Sequence, residues 1–155
     1  MASPHGSIVA YKNRAMYEII NSPELVKAID PNNVNPENLI YENIFPYFRV
    51  PVVATDTKTF VTVCIDLPEE YHPENFMRDI ILKICVIVHQ SEMKTDFGAT
   101  RLDYISEKLD EIFVNSHKYG YGKLRILAST ESSLDEWHRF REILYVSNAA
   151  QNRGC

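Results

Sequence analysis

Apolar positions recur along this chain with two different periods, and the switches between them divide it into elements. From Ala10 to Asn21, Tyr11, Ala15 and Ile19 follow at steps of four with Met16 and Ile20 beside them, which predicts a helix. Ser22-Pro23-Glu24 stops it and starts another. Ser22 can cap, Pro23 suits the first helical position, and Leu25, Val26 and Ile29 make one apolar side. Asp30-Pro31-Asn32-Asn33 closes this short helix. From Val34 to Asp56 no period is sustained, and prolines stand at 36, 46 and 51. The stretch also carries Tyr41, Ile44, Phe45, Tyr47 and Phe48, and a disordered linker would be poorer in aromatics. It reads as an ordered, extended segment that docks on its own domain, with docking on a neighbour as the alternative.

The period then changes to two. In Lys58 to Leu67, Val61, Val63, Ile65 and Leu67 share one face and Phe60, Thr62, Cys64 and Asp66 the other, which predicts a strand. Pro68 to Asn75 is a loop or arm with Glu69, Glu70 and Glu74. Asp79 to Gln90 is apolar on both faces and reads as a central, covered strand. Thr100 to Asn115 returns to the helical period, with Leu102, Ile105, Leu109, Ile112 and Phe113 on one face. Tyr119-Gly120-Tyr121-Gly122 is a turn, and Lys123 to Thr130 and Arg139 to Asn148 are strands around a Glu131–Trp137 connection. The order predicts a single α+β domain over 1–155. It has a mostly antiparallel four-stranded sheet, one main helix packed on it, and N-terminal helices. Within it, 10–30 form the helical element, 31–57 the extended segment and 147–155 a flexible tail.

Composition adds little to that picture except through charge. Apolar content of 45% and charged content of 24% are ordinary for a globular domain. The net charge of −5 is unevenly placed: residues 30–111 hold seven basic and fifteen acidic side chains, whereas 112–155 hold six basic and four acidic. Such a chain lacks the basic face that phosphate binding needs, and its unlike zones suit contact between copies. Cys64, Cys85 and Cys155 are odd in number with no C-x-x-C pair, which excludes a zinc ribbon and fits synthesis in a reducing cytoplasm. The N-terminal residues lack the basic and apolar regions of a signal peptide, and no apolar run spans a bilayer, so no membrane role is expected.

Candidate chemistry is sparse. His5, His72, His89, His117 and His138 show no metal-binding spacing, and His89 reads as a hydrogen-bonded strand-end residue. Cys64 and Cys85 on adjacent strands behave as small core residues. Gly120-x-Gly122 is too short to cradle a phosphate. Glu69, Glu70 and Glu74 read as a solvated loop or an ionic contact with another subunit. Asp103 suits the first turn of the main helix, whereas Arg101 there opposes the helix dipole and is expected to pair with a carboxylate, on its own surface or across an interface. No catalytic residue, cofactor or metal is expected, and the protein reads as a non-enzyme.

One stretch gives a more specific lead. A hydrophobic strand ending in Val88-His89, a loop with Met93-Lys94-Thr95, then Gly98-x-x-Arg101-x-Asp103-x-Ile105 opening a helix resembles the tail-terminator, or tail-completion and head-to-tail joining, family of long-tailed bacteriophages. Asn43-Ile44-Phe45-Pro46-Tyr47 and the Gly122-Lys123-Leu124-x-Ile126 strand fit the same pattern, and the resemblance spans roughly 38 to 148. It implies a virion protein made in the host cytoplasm. Six copies form a ring on the tail tube protein, stop tube polymerisation and meet head connector or neck proteins. Genomic DNA passes through the lumen without specific binding. Expected contact residues are Ile44, Phe45, Tyr47, Phe48, Glu69, Glu70, Glu74, Met93, Lys94, Arg101 and Asp103. The competing readings are another neck or connector adaptor, a tail-tube-like protein, and a small ligand-binding domain.

Overall fold

The computed structural model describes residues 4–67, 80–120 and 122–147. The acidic Pro68–Asn75 segment and the C-terminal tail from 148 lie outside the described residues.

Among the described residues, three α-helices and a five-stranded mixed sheet follow in the order α1 (Pro4–Ile20), α2 (Pro23–Ile29), β1 (Ile44–Phe45), β2 (Phe60–Asp66), β3 (Ile81–His89), α3 (Arg101–Phe113), β4 (Leu124–Ser133) and β5 (His138–Ser147). The helices form for the reasons their sequences suggest. Ser22 accepts a hydrogen bond from the Leu25 N–H, with Pro23 at the first helical position. Thr100 caps α3 by accepting from the Asp103 N–H at 3.1 Å. α1 starts six residues before Ala10, and Ile8 from that added turn and a half packs on the core.

In the sheet the spatial order is β1-β2-β3-β5-β4. β2, β3, β5 and β4 form antiparallel ladders, with Thr62 opposite Cys85 and Ile84 opposite Ile143. The expected four-stranded sheet gains β1, a two-residue strand parallel to β2, so the sheet is mixed. Two residues cannot display a period. β1 exists because the Val61 N–H donates to the Asn43 carbonyl at 2.8 Å and the buried Asn43 amide donates to the Thr59 carbonyl at 3.0 Å. β4 also runs further than expected: Glu131-Ser132-Ser133 is strand, and only Leu134–Trp137 connects it to β5. That run is polar because it is exposed, so pairing with β5 alone makes it a strand.

All three helices pack on one face of the sheet. Val61, Val63, Ile65, Leu82, Ile84, Val86, Val88, Ile143 and Tyr145 meet Ala15, Ile19, Leu25, Leu102, Ile105, Leu109 and Phe113 in one cluster. Tyr145 donates to the Asp110 carboxylate at 2.6 Å and Tyr119 to Glu18 at 2.8 Å, so both of these fully buried tyrosines have a partner on a helix. Burial first, then the adjacent carboxylate, pushes both phenols well above their ordinary range. On the opposite face a smaller cluster holds Phe45, Phe60, Cys85 and Ile87, with Leu134 and Phe140 against it and, among the described residues, no helical residue in it. Burial pushes the Cys85 thiol up to about 12, which leaves it inert as a nucleophile.

Candidate functional site

Loop 93–99 joins the central strand to the main helix and is braced from within. Thr95 Oγ1 donates to the Ala99 carbonyl at 2.6 Å and accepts from the Phe97 N–H at 3.2 Å. Phe97 stacks on Tyr104 with ring centroids 4.4 Å apart. The chain then reverses at Gly98, whose φ of +87° suits glycine. Arg101, the first residue of α3, is 9% exposed. Its Nε donates to the Glu92 carbonyl at 2.8 Å and its Nη1 to the carbonyl of Ala28 near the end of α2. The expected carboxylate partner is absent among the described residues. The guanidinium instead satisfies a helix-terminal carbonyl that has no partner within α2, where a positive charge also meets the favourable end of that helix's dipole. Asp103, exposed in the same first turn, pairs with Arg141 at 3.7 Å.

Arg101 lines an open cleft between the end of α2 and the loop, with Lys27 and Pro31 on one side and Lys94, Thr95, Asp96 and Phe97 on the other. Lys27 and Lys94 are exposed and form no ion pair among the described residues. The cleft therefore holds three cations and one carboxylate beside an apolar wall. This suits a carboxylate-bearing group better than a cation.

The end of the sheet nearest this loop is held by two histidines. His89 and His138 face each other across β3 and β5 with ring centroids 5.0 Å apart. His89 Nδ1 accepts from the Ser91 N–H at 3.1 Å, so its Nε2 carries the proton donated to the Ala54 carbonyl at 2.8 Å. His138 Nε2 donates to the Asp56 carbonyl at 3.0 Å and its Nδ1 faces the Asp135 carboxylate at 3.0 Å. The pair thus fastens segment 54–56 to the sheet. Burial raises the Asp135 carboxyl, but hydrogen bonds from the Trp137 N–H and from the ring and N–H of His138 outweigh it and hold the carboxyl below its usual value. Asp135 therefore contributes stability above the unfolded carboxylate pKa of about 3.9 and loses it as pH falls through the lower folded value. Asp135→Asn is expected to lower the melting temperature at pH 6, with the gap to wild type closing below about pH 3. A gap that stays constant from pH 6 to pH 2 contradicts this. No group of His, Cys, Asp and Glu among the described residues can hold a metal.

At the far edge of the sheet, β4 has one side open. Leu124 bonds outward, its N–H to the Ser116 carbonyl at 2.9 Å and its carbonyl accepting from the Asn115 N–H at 2.8 Å. Beyond it no other backbone among the described residues pairs with the outer side of β4. Counting by two, across the irregularity between Ile126 and Ala128, puts outward N–H groups at Ile126, Ser129, Glu131 and Ser133. Ile126, Leu127 and, in the hairpin connection, Trp137 are 39%, 48% and 42% exposed.

The YomW family model matches residues 18–146. The chain belongs to the YomW family. No curated protein matches it. Among solved structures, a chain described as "Virion of native gene transfer agent (GTA) particle" is similar at 13% identity and a TM-score of 0.47, over 86% of this chain and 90% of that one.

In this YomW-family member the residues expected at contacts separate into distinct environments. Ile44 and Phe45 are core residues, 0% and 1% exposed, with Phe45 edge-on to Phe60 at 5.6 Å and under the Arg49 guanidinium at 4.7 Å. Tyr47 and Phe48 are about half exposed on the same segment. Met93 is partly buried against the main core, Lys94 is exposed, and Arg101 is turned inward. Glu69, Glu70 and Glu74 lie outside the described residues. The surfaces that sequence reasoning missed are the open edge of β4 and the meeting of Lys27 with Lys94. The first was hidden because Glu131–Ser133 read as part of a polar connection and a strand's period does not tell an edge from a centre. The second joins residues 67 apart in the chain, which no local pattern reports. No helix among the described residues is long and apolar enough to cross a membrane.

Proposed function

We propose that this chain is a structural protein of a phage or phage-derived particle. In this reading six copies close into a ring at the head-proximal end of the tail tube, end tube polymerisation and present a surface to the head connector. The observation that carries it is the unequal pair of sheet edges. β1 is two residues long, whereas β4 offers a side that is open among the described residues along most of its ten. An exposed edge of that length is a template for pairing, and β4 lacks the proline, lysine and short length that block it. Two unlike edges favour a head-to-tail contact between different surfaces, and such contacts give rings when the rotation closes.

The resemblance of the 79–105 stretch and the family match over 18–146 support the setting. A net charge of −5 suits a lumen that repels DNA and lets it slide, with no sequence-specific contact. The tube protein, the neck proteins and a virion location follow from the same reading, and no reaction is assigned to the chain.

Native mass measured at several concentrations, with negative-stain images of the same sample, tests the ring. Six copies of 17.9 kDa are expected as closed particles of about 110 kDa, and mixing them with isolated tail tubes is expected to cap one tube end. Open filaments or two-fold dimers contradict the ring reading.

A further inference from the structure

We propose that the cationic cleft beside Arg101 is the receptor for the β4–β5 connection of a second copy of this chain, with Glu136 and Trp137 of that copy as the inserted pair. The inference rests on the ring reading above and names one of its contacts.

Complementarity between two surfaces of the same chain carries it. The cleft presents Lys27, Lys94 and Arg101 against a single carboxylate, Asp96, with Pro31 and Phe97 as its apolar part. Arg101 has two of its three nitrogens spent on carbonyls of its own chain, which fixes the plane of the guanidinium. Its Nη2 has no partner among the described residues. Arg101 thus adds a fixed positive charge to the wall of the cleft, which favours a carboxylate there. From Glu131 to Trp137 the chain carries three acids and no base. Glu131 is occupied by Arg141 and Asp135 by His138, whereas Glu136 is exposed and forms no ion pair among the described residues. The neighbouring indole of Trp137 is exposed on a turn whose backbone is fixed at both ends. Its N–H donates to Asp135 at 2.8 Å and its carbonyl accepts from the Gln90 N–H at 2.7 Å.

Both partners are thus pre-organised, which reduces the ordering cost of binding. Tryptophan and arginine are also the residues that most often dominate contact energies. Trp137 does not line the cleft of its own subunit, so the contact joins two different patches and is head-to-tail. It also places the open edge of β4 beside the neighbouring subunit.

Trp137 is the single tryptophan of the chain, so intrinsic fluorescence reports the contact directly. In wild type the emission is expected to move to shorter wavelength as native mass rises with concentration. Lys94→Glu and Glu136→Lys each place like charges across the contact and are expected to weaken assembly on the order of ten-fold or more, leaving the emission at its exposed value. Combining them restores opposite charges and is expected to recover both assembly and the emission shift. Both positions are exposed, and an unchanged thermal melt of each variant confirms that the fold is intact.

Rings in both single variants with the wild-type emission shift overturn this contact and leave the ring reading standing. The same holds for wild-type rings whose Trp137 emission never moves, and for a double variant that fails to recover assembly. A wild-type chain that stays monomeric at every concentration overturns the contact and counts against the ring itself.

Discussion

Replacing Arg101 with alanine is expected to lower the unfolding free energy by roughly 3–5 kcal/mol, since two hydrogen bonds from a charged donor are lost and buried carbonyls are left unpaired. The two carbonyls belong to Glu92 and Ala28, from the loop after β3 and from α2. The side chain therefore joins three elements that local sequence does not connect. Ala28 lies in the last turn of α2, where the helix has no N–H of its own to offer. Arg101→Lys is expected to recover less than half of the loss, because one ammonium cannot span two acceptors in the plane that the guanidinium uses. Urea unfolding measures this as a lower midpoint at unchanged slope. A loss below about 1 kcal/mol for the alanine variant, the scale of an exposed ion pair, would mean that the side chain is not buried in solution as it is here.

Proline placed on β4 is expected to separate folding from assembly within two adjacent residues. At Ser129 the N–H faces away from β5, so Ser129→Pro leaves the backbone ladder of the hairpin whole and removes an outward donor, together with the exposed hydrogen bond that its hydroxyl accepts from Arg141 at 3.0 Å. This variant is expected to melt within a few degrees of wild type and to fail to form rings. At Thr130 the N–H faces β5, so Thr130→Pro removes a ladder bond inside the domain and is expected to cost on the order of 3 kcal/mol or more. Thermal melts and native mass on the two variants check this together. Rings from Ser129→Pro at wild-type concentration would show that the open edge of β4 is not the contact.

Several elements were legible in the residues alone because each carries a local physical signal. The steps of four from Tyr11 to Ile19 and Leu102, Ile105 and Leu109 on one face reappear as buried helix, and Ser22-Pro23 reappears as a capped helix start. The alternation from Phe60 to Asp66 divides between the two clusters as period two requires. The run from Ile81 to His89 is central because β2 and β5 flank it. Of the loop from Met93 to Gly98, Lys94 to Phe97 line the cleft, and Arg101 is held there by carbonyls of its own chain.

What the sequence by itself determined is therefore the set of elements with a repeating apolar face, since burial on one side imposes a period that can be counted. Only the tertiary structure decided the rest. β1 is held by hydrogen bonds to Val61 and Thr59 from a segment with no period of its own. The outer half of β4 is polar on both faces and becomes a strand only through its ladder with β5. The partners of Arg101 are backbone carbonyls, which every residue carries and no side-chain pattern can reveal. Lys27 and Lys94 meet because α2 and the loop after β3 both end beside α3, a proximity set by packing over long sequence separations.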